Sequence, residues 1–289
     1  MPEAPAEIWL KLECLQPIGS FKIRGAANAI RQAPRALVEA GVVTASAGNM
    51  AQGVAWVARE LGVPATIIAP EHAPETKLAA IARLGGTVIK VPYERWWQAL
   101  EESRFDGVEG LFVHPVQDEP VMAGNGTIGL ELADELDRID TVLVPWGGGG
   151  LTTGIASALR AVAPTTEVFA VEPETGAPLA ASLAAGAPRA IEYVPSFVDG
   201  AGSRSLLPRM WELGRPLLAG SHTVSLDETA AAIRVLAERA NVVAEGAGAL
   251  AVAAALSGRA GSGRIVCIVS GGNIDASRLA AILGGATPQ

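Results

Sequence analysis

Short apolar runs of four to seven residues alternate along this chain with longer, Ala-rich stretches of helical period, and that alternation limits the folds open to it. Residues 42–46, 65–69, 87–91, 141–145, 167–171 and 264–270 have the largely apolar content of strands buried on both faces. Between them, 50–61, 75–84, 95–104, 128–136, 151–162, 227–240, 247–256 and 275–283 carry the 3.6-residue period of helices. Gly62, Gly85 and Gly284 follow three of these at the position where helices end. Repeated strand–helix units predict an α/β fold, with parallel sheets covered by helices on both faces. The strand capacity of residues 41–121, followed by a second set from Thr141, predicts two lobes: 1–40 with 122–289, and 41–121.

Composition removes several classes of function. Lys and Arg total 22 against 30 Asp and Glu, a net charge of −8, so the chain lacks the basic surface of a nucleic-acid binder. Mean hydropathy is +0.32. The notable uncharged stretch, Thr141 to Leu159, nevertheless holds Pro145 and four consecutive glycines, which suit strand, loop and helix rather than a membrane span. The first seven residues have neither the basic nor the apolar segment of a secretory leader, so a cytoplasmic protein is expected. His72, His114 and His222 are too dispersed for zinc, and no metal site is expected. Cys14 and Cys267 read as small buried hydrophobes.

In open α/β sheets ligands gather beyond the carboxyl ends of strands, so four turns carry the chemistry. Gly147, Gly148, Gly149 and Gly150 separate a strand from a helix N-terminus. Their bare backbone suits an anion, and with no Gly-Lys-Ser/Thr following, a nucleotide triphosphate loop fits poorly. Ser46-Ala47-Gly48-Asn49-Met50-Ala51-Gln52 places small and hydrogen-bonding residues at a helix start, suited to a carboxylate or to simple capping. Lys22 lies between Phe21 and Ile23, an apolar setting in which an amine can lose its charge and form a Schiff base. Ser270 closes an apolar strand ahead of Gly271 and Gly272. A lysine amine, a phosphate cradle, a carboxylate turn and a strand-end hydroxyl are the parts needed to hold pyridoxal 5'-phosphate and an amino acid.

With these motifs in order, the chain resembles the fold-type II (tryptophan synthase β-like) pyridoxal-phosphate enzymes, and within them the threonine/serine dehydratases. Ala123-Gly124-Asn125-Gly126-Thr127-Ile128-Gly129, Val171-Glu172-Pro173 and Ala244-Glu245-Gly246-Ala247-Gly248-Ala249 are similar as well. The resemblance implies that Lys22 bonds the cofactor beside Phe21, with Gly147 to Gly150 on its phosphate. Asn49 would meet the ring hydroxyl and Ser270 the pyridine nitrogen, with Glu245 near the cofactor. Ser46, Ala47, Gly48, Asn49, Met50 and Gln52 would receive the substrate carboxylate. The larger lobe would then bind the cofactor and the smaller one the carboxylate. Lys22 would remove the α-proton, water would be lost from L-threonine or L-serine, and a 2-oxo acid and ammonia would form. Relatives of this kind form homodimers or homotetramers.

Three departures from the family pattern stand out. Met50 occupies the usual place of a histidine. The chain reaches the run 8–13 without the helical segment that relatives carry first, which is expected to bear on stability or assembly. Pro178 stands where the racemase-like branch pairs the glutamate of V-E-P with an aspartate. An amino-acid racemase on the same fold is the nearest alternative. Serine racemases place a hydroxyl where Ala47 stands, and alanine cannot transfer a proton. A non-catalytic ligand-binding homologue would be marked by loss of the lysine, which is present. His114 reads as a strand-end structural residue, and Asp199 carries little weight as a site residue.

Overall fold

The computed structural model describes residues 6–288. The first five residues, on which much of the leader reading rests, lie outside the described residues. The described strands are β1 (Glu7–Leu12), β2 (Val42–Ala45), β3 (Ala65–Pro70), β4 (Thr87–Val91), β5 (Leu111–Phe112), β6 (Thr141–Pro145), β7 (Glu167–Pro173), β8 (Gly220–Val224) and β9 (Arg264–Val269). They form a five-stranded sheet, β1-β9-β6-β7-β8, and a four-stranded sheet, β4-β3-β2-β5. Every pairing between these strands is parallel.

Contacts divide the chain into two compact units, one of residues up to Ser20 together with those from Gly126 onward, the other Phe21–Asn125. Residues 21–40 and 122–125 thus group with the four-stranded sheet, where the sequence reading set them with the larger lobe. The reason is packing: the helix Lys22–Gln32 lies against the helix Asn49–Leu61.

In the first unit, the helix Gly246–Leu256 is apolar on every side, and ten of its eleven residues are buried. A helix of that kind can only lie inside a core. Leu250 and Val252 join Ile265, Cys267 and Val269 of β9 and Ile233 and Leu236 of a neighbouring helix in one cluster. Cys14 and Cys267 are both buried and free. In the second unit, Val43, Ala45, Ile68 and Val91 make a smaller core, against which Trp96 and Phe112 pack.

Periodicity misses β1, β5 and β8, of which β1, at a sheet edge, and the two-residue β5 carry short signals. It also starts the helix Glu119–Glu135 nine residues late. Gly124, Gly126 and Gly129 in that segment look like loop residues, because glycine is a poor helix former. Close approach explains them: a Cβ at Gly124 would lie 2.4 Å from the Arg24 carbonyl oxygen. No described helix is long and apolar enough to cross a membrane.

Candidate active site

In the Phe21–Asn125 unit, Lys22 is the first residue of its helix and follows Phe21 at the cap. Its Nζ lies 5.2 Å from the centre of the Phe21 ring and donates to the Pro115 carbonyl at 2.7 Å. The Ser46–Gln52 turn belongs to the same unit. Beyond β2, Ser46 Oγ accepts from the Gly48 N–H at 3.2 Å, and the helix Asn49–Leu61 begins at once. The first N–H groups of a helix have no partner within it, so this turn offers donors to an anion. A Cβ at Gly48 would meet nothing within 4 Å, whereas one at Gly53 would stand 3.3 Å from both Ala26 Cβ and the Lys22 carbonyl oxygen. Gly53 therefore lets this helix approach the one that starts at Lys22.

Ser46, Ala47, Gly48 and Asn49 are half-buried. Gln52 is buried, and the Met50 side chain is 1% exposed, part of the core. What Met50 presents at the turn is its backbone. His114 Nδ1 accepts from the N–H groups of Val116 and Gln117, at 3.0 and 3.1 Å. Burial, with the Lys22 charge, holds this imidazole down to about 4, so it is neutral and structural at working pH.

In the other unit the four glycines join β6 to the helix Gly150–Val162. Gly149 takes φ +97°, and a Cβ there would fall 2.6 Å from Cη2 of the fully buried Trp146. A Cβ at Gly147 would lie 3.1 Å from the Gly200 carbonyl oxygen. Side chains are excluded from this turn, and its N–H groups stand at the positive end of a helix dipole.

Gly200 links the turn to Glu245, since its own Cβ would stand 3.5 Å from Glu245 Oε1. Glu245 is 6% exposed and stands directly before the helix Gly246–Leu256, and its N–H donates to the Gly271 carbonyl at 3.0 Å. Ser270, 2% exposed, directly precedes Gly271 beyond β9. A Cβ at Gly248 would lie 2.2 Å from that same Gly271 oxygen, so the helix start abuts the strand end. The glycine turn, Glu245 and Ser270 are thereby tied together within one unit. Asp199, by contrast, is exposed, with its carboxylate 3.9 Å from Arg278.

Taken unit by unit, the lysine amine of one suits an aldehyde, and the Cβ-free donors and buried strand-end hydroxyl of the other suit a phosphate and an aromatic ring nitrogen. The profile of the pyridoxal-phosphate dependent enzymes matches residues 2–271. The chain belongs to that family. This pyridoxal-phosphate enzyme is 42% identical over 281 residues to the L-threonine ammonia-lyase of Thermotoga maritima, covering 96% of this chain and 70% of that one. Its fold superposes with a TM-score of 0.88 on the processed form of threonine deaminase isoform 2 from Solanum lycopersicum, at 34% identity, covering 98% of this chain and 84% of that one. Maize serine racemase gives 0.85, also at 34% identity, covering 97% and 87%.

Glu172, fully buried, is occupied with the fold of this pyridoxal-phosphate enzyme. Its carboxyl accepts from the N–H groups of Leu179 and Ala180 at 2.9 and 2.8 Å, and from Ser221 Oγ at 2.9 Å. Pro178 is the first residue of the helix whose start Glu172 thus holds. Among the described residues no group of three or more His, Cys, Asp and Glu could hold a metal ion. Burial pushes the Glu172 carboxyl from 4.5 up to about 7, against the pull of its three donors. The folded chain therefore binds this proton more tightly than the unfolded one. The resulting stability, about 3 kcal/mol, is fully present below pH ~4.5 and is lost as pH rises through ~7. Glu172→Gln should flatten that loss, measured as Tm between pH 5 and pH 9. A slope equal to that of the parent would place the titration elsewhere.

Proposed function

We propose that the protein removes water from a 3-hydroxy amino acid, L-threonine or L-serine, and releases a 2-oxo acid and ammonia. The observation that carries this reading is the composition of the carboxylate turn beside the Lys22 helix. Ala47 offers no proton, Ser46 Oγ is bound to its own turn, and the Met50 side chain is buried. A racemase needs a second acid–base group on the far face of the substrate, and this turn supplies none beyond Ser46. The ammonia-lyase and deaminase relatives support the same choice.

Pyridoxal phosphate, when bound, supplies the electron sink that makes the α-hydrogen of an amino acid acidic. The residues of the chain do the rest. Lys22 would carry the cofactor through its amine and, with that amine free, would take the α-proton as general base. Ser46, Asn49, Gln52 and the N–H groups of their turn hold the substrate carboxylate. Gly147 to Gly150 would hold the phosphate, Asn49 would meet the ring hydroxyl, and Ser270 would give the pyridine nitrogen a neutral partner. Glu245 stands near the cofactor. In the net reaction the α-proton and the β-hydroxyl leave together as one water, and the released enamine takes up water and loses ammonia. On this reading the enzyme works in the cytoplasm as a homodimer or homotetramer. The unit of residues from Gly126 onward serves chiefly the cofactor, and the one containing 41–121 the carboxylate.

The test is release of 2-oxo acid and ammonia from cofactor-loaded protein given L-threonine, L-serine and their D-forms. Equal amounts of both products from an L-substrate are expected. Bound cofactor without keto acid would overturn the elimination. A second outcome is expected from Ala47→Ser, which puts a hydroxyl where serine racemases have one: D-serine should accumulate from L-serine, at a rate above that of the parent. No gain would show that the far-face argument is incomplete.

A further inference from the structure

By its sequence His114 reads as a strand-end structural residue, and the proposed reaction uses neither it nor its turn. The contacts of residues 113–118 nevertheless converge on the Lys22 amine. Thr44 Oγ1 donates to the Val113 carbonyl at 2.8 Å, anchoring the turn to β2. The His114 N–H donates to Asp118 Oδ2 at 2.7 Å. His114 Nδ1 accepts from the next two free N–H groups, Val116 at 3.0 Å and Gln117 at 3.1 Å. In the turn thus held, the Pro115 carbonyl accepts from Lys22 Nζ at 2.7 Å.

We propose that this turn is the seat of the Lys22 amine whenever that amine is free, and that His114 is a positioning residue acting on Lys22 through the Pro115 carbonyl. The inference rests on the reading of Lys22 as the amine that carries the cofactor and moves the proton. A backbone carbonyl suits the task. It accepts one N–H, cannot itself take a proton at working pH, and leaves the amine's lone pair directed elsewhere. Lysine has four rotatable bonds, so an amine without such a seat would spread over many positions. The imidazole is well chosen for the turn as well. Because Nδ1 accepts two N–H groups, the ring proton sits on Nε2, and the side chain is 3% exposed.

Two variants of His114 separate acceptor from ring. In His114→Asn the side-chain oxygen stands two bonds from Cβ, as Nδ1 does, and can accept the same N–H groups. In His114→Leu both are left without an acceptor. The first readout is capture of free pyridoxal by cofactor-free protein, trapped with borohydride and measured on the Lys22 peptide. Pyridoxal lacks the phosphate, so the glycine turn does not enter. His114→Leu should slow capture about 10-fold and lower kcat ~10–100-fold, with KM within about threefold, the scale expected for an amine displaced by about 1 Å. His114→Asn should restore most of both.

Should His114→Leu fail to fold, Asp118→Ala removes the tie at the other end and should shift capture in the same direction. Parental capture and kcat in the folded Leu variant would overturn the proposal. So would an Asn variant as impaired as Leu, since the ring itself would then be what matters. If the capture differences hold while the parent releases no 2-oxo acid, the elimination reading fails and the seat for Lys22 stands.

Discussion

Lys22→Ala is expected to end 2-oxo acid release, lowering turnover by ~10⁴-fold or more, because on the proposed reading one substitution removes both the cofactor's anchor and the base. The visible absorbance of lysine-bound cofactor should vanish with it. The fold should survive. Lys22 is half-buried and opens its helix, and its hydrogen bond to the Pro115 carbonyl is worth about 1 kcal/mol, a Tm change of a few degrees at most. Lys22→Arg sharpens the test, since it keeps a cation able to donate to the Pro115 carbonyl but cannot act as a base near neutral pH. Both variants should be inactive, and Arg should retain more of the parental Tm. Turnover surviving in either would remove Lys22 from the chemistry.

The next largest effect belongs to the glycine turn. Gly149→Ala should weaken retention of pyridoxal phosphate about 100-fold while leaving Lys22 untouched. Two costs coincide at this residue. Its φ of +97° is a conformation that L side chains rarely adopt, worth about 1–2 kcal/mol for alanine. The added methyl would also stand 2.6 Å from the ring of Trp146, which is fully buried. The turn must then shift, and its N–H groups shift with it. Together these reach about 3 kcal/mol, or two decades in Kd. Titration of cofactor-free protein measures the change, and kcat should recover at saturating cofactor because the base is unaltered. Adding Trp146→Val should recover part of the affinity, since it removes the clash but not the backbone cost. Unchanged affinity in Gly149→Ala would mean that this turn does not hold the phosphate.

Most of the longer helices and the buried strands were legible because their signals are local, whereas the helices Lys22–Gln32, Arg35–Glu39, Pro178–Ala185 and Pro208–Gly214 were not read from the period. Ala-rich stretches repeat every 3.6 residues, and β2, β3, β6, β7 and β9 lie near the apolar runs that mark them. Legibility failed where a neighbour, and not the segment itself, decides the structure. The helix Glu119–Glu135 contains three glycines that weaken its intrinsic preference, and it forms because Gly124 and Gly25 let it press against the Lys22 helix. The signal was present as spacing, since glycines at 124, 126 and 129 recur on a helical scale, but composition suggests a loop. β8 shows the same dependence, being half-buried and paired with β7 alone.

The site divides in the same way. Lys22, the Ser46–Gln52 turn, the four glycines and Ser270 stand out in the sequence because each is a short motif at a strand or helix end, where backbone donors are bare. That much, with the parallel α/β architecture, the sequence alone determined. Only the tertiary structure set Pro115 against an amine 93 residues earlier, bound Glu172 to the start of the Pro178–Ala185 helix, and joined Gly147 to Glu245 through Gly200. These contacts depend on which segments the packing of helices on sheets brings within 3 or 4 Å. No period or motif in the chain encodes such distances, because they arise from how the whole core closes.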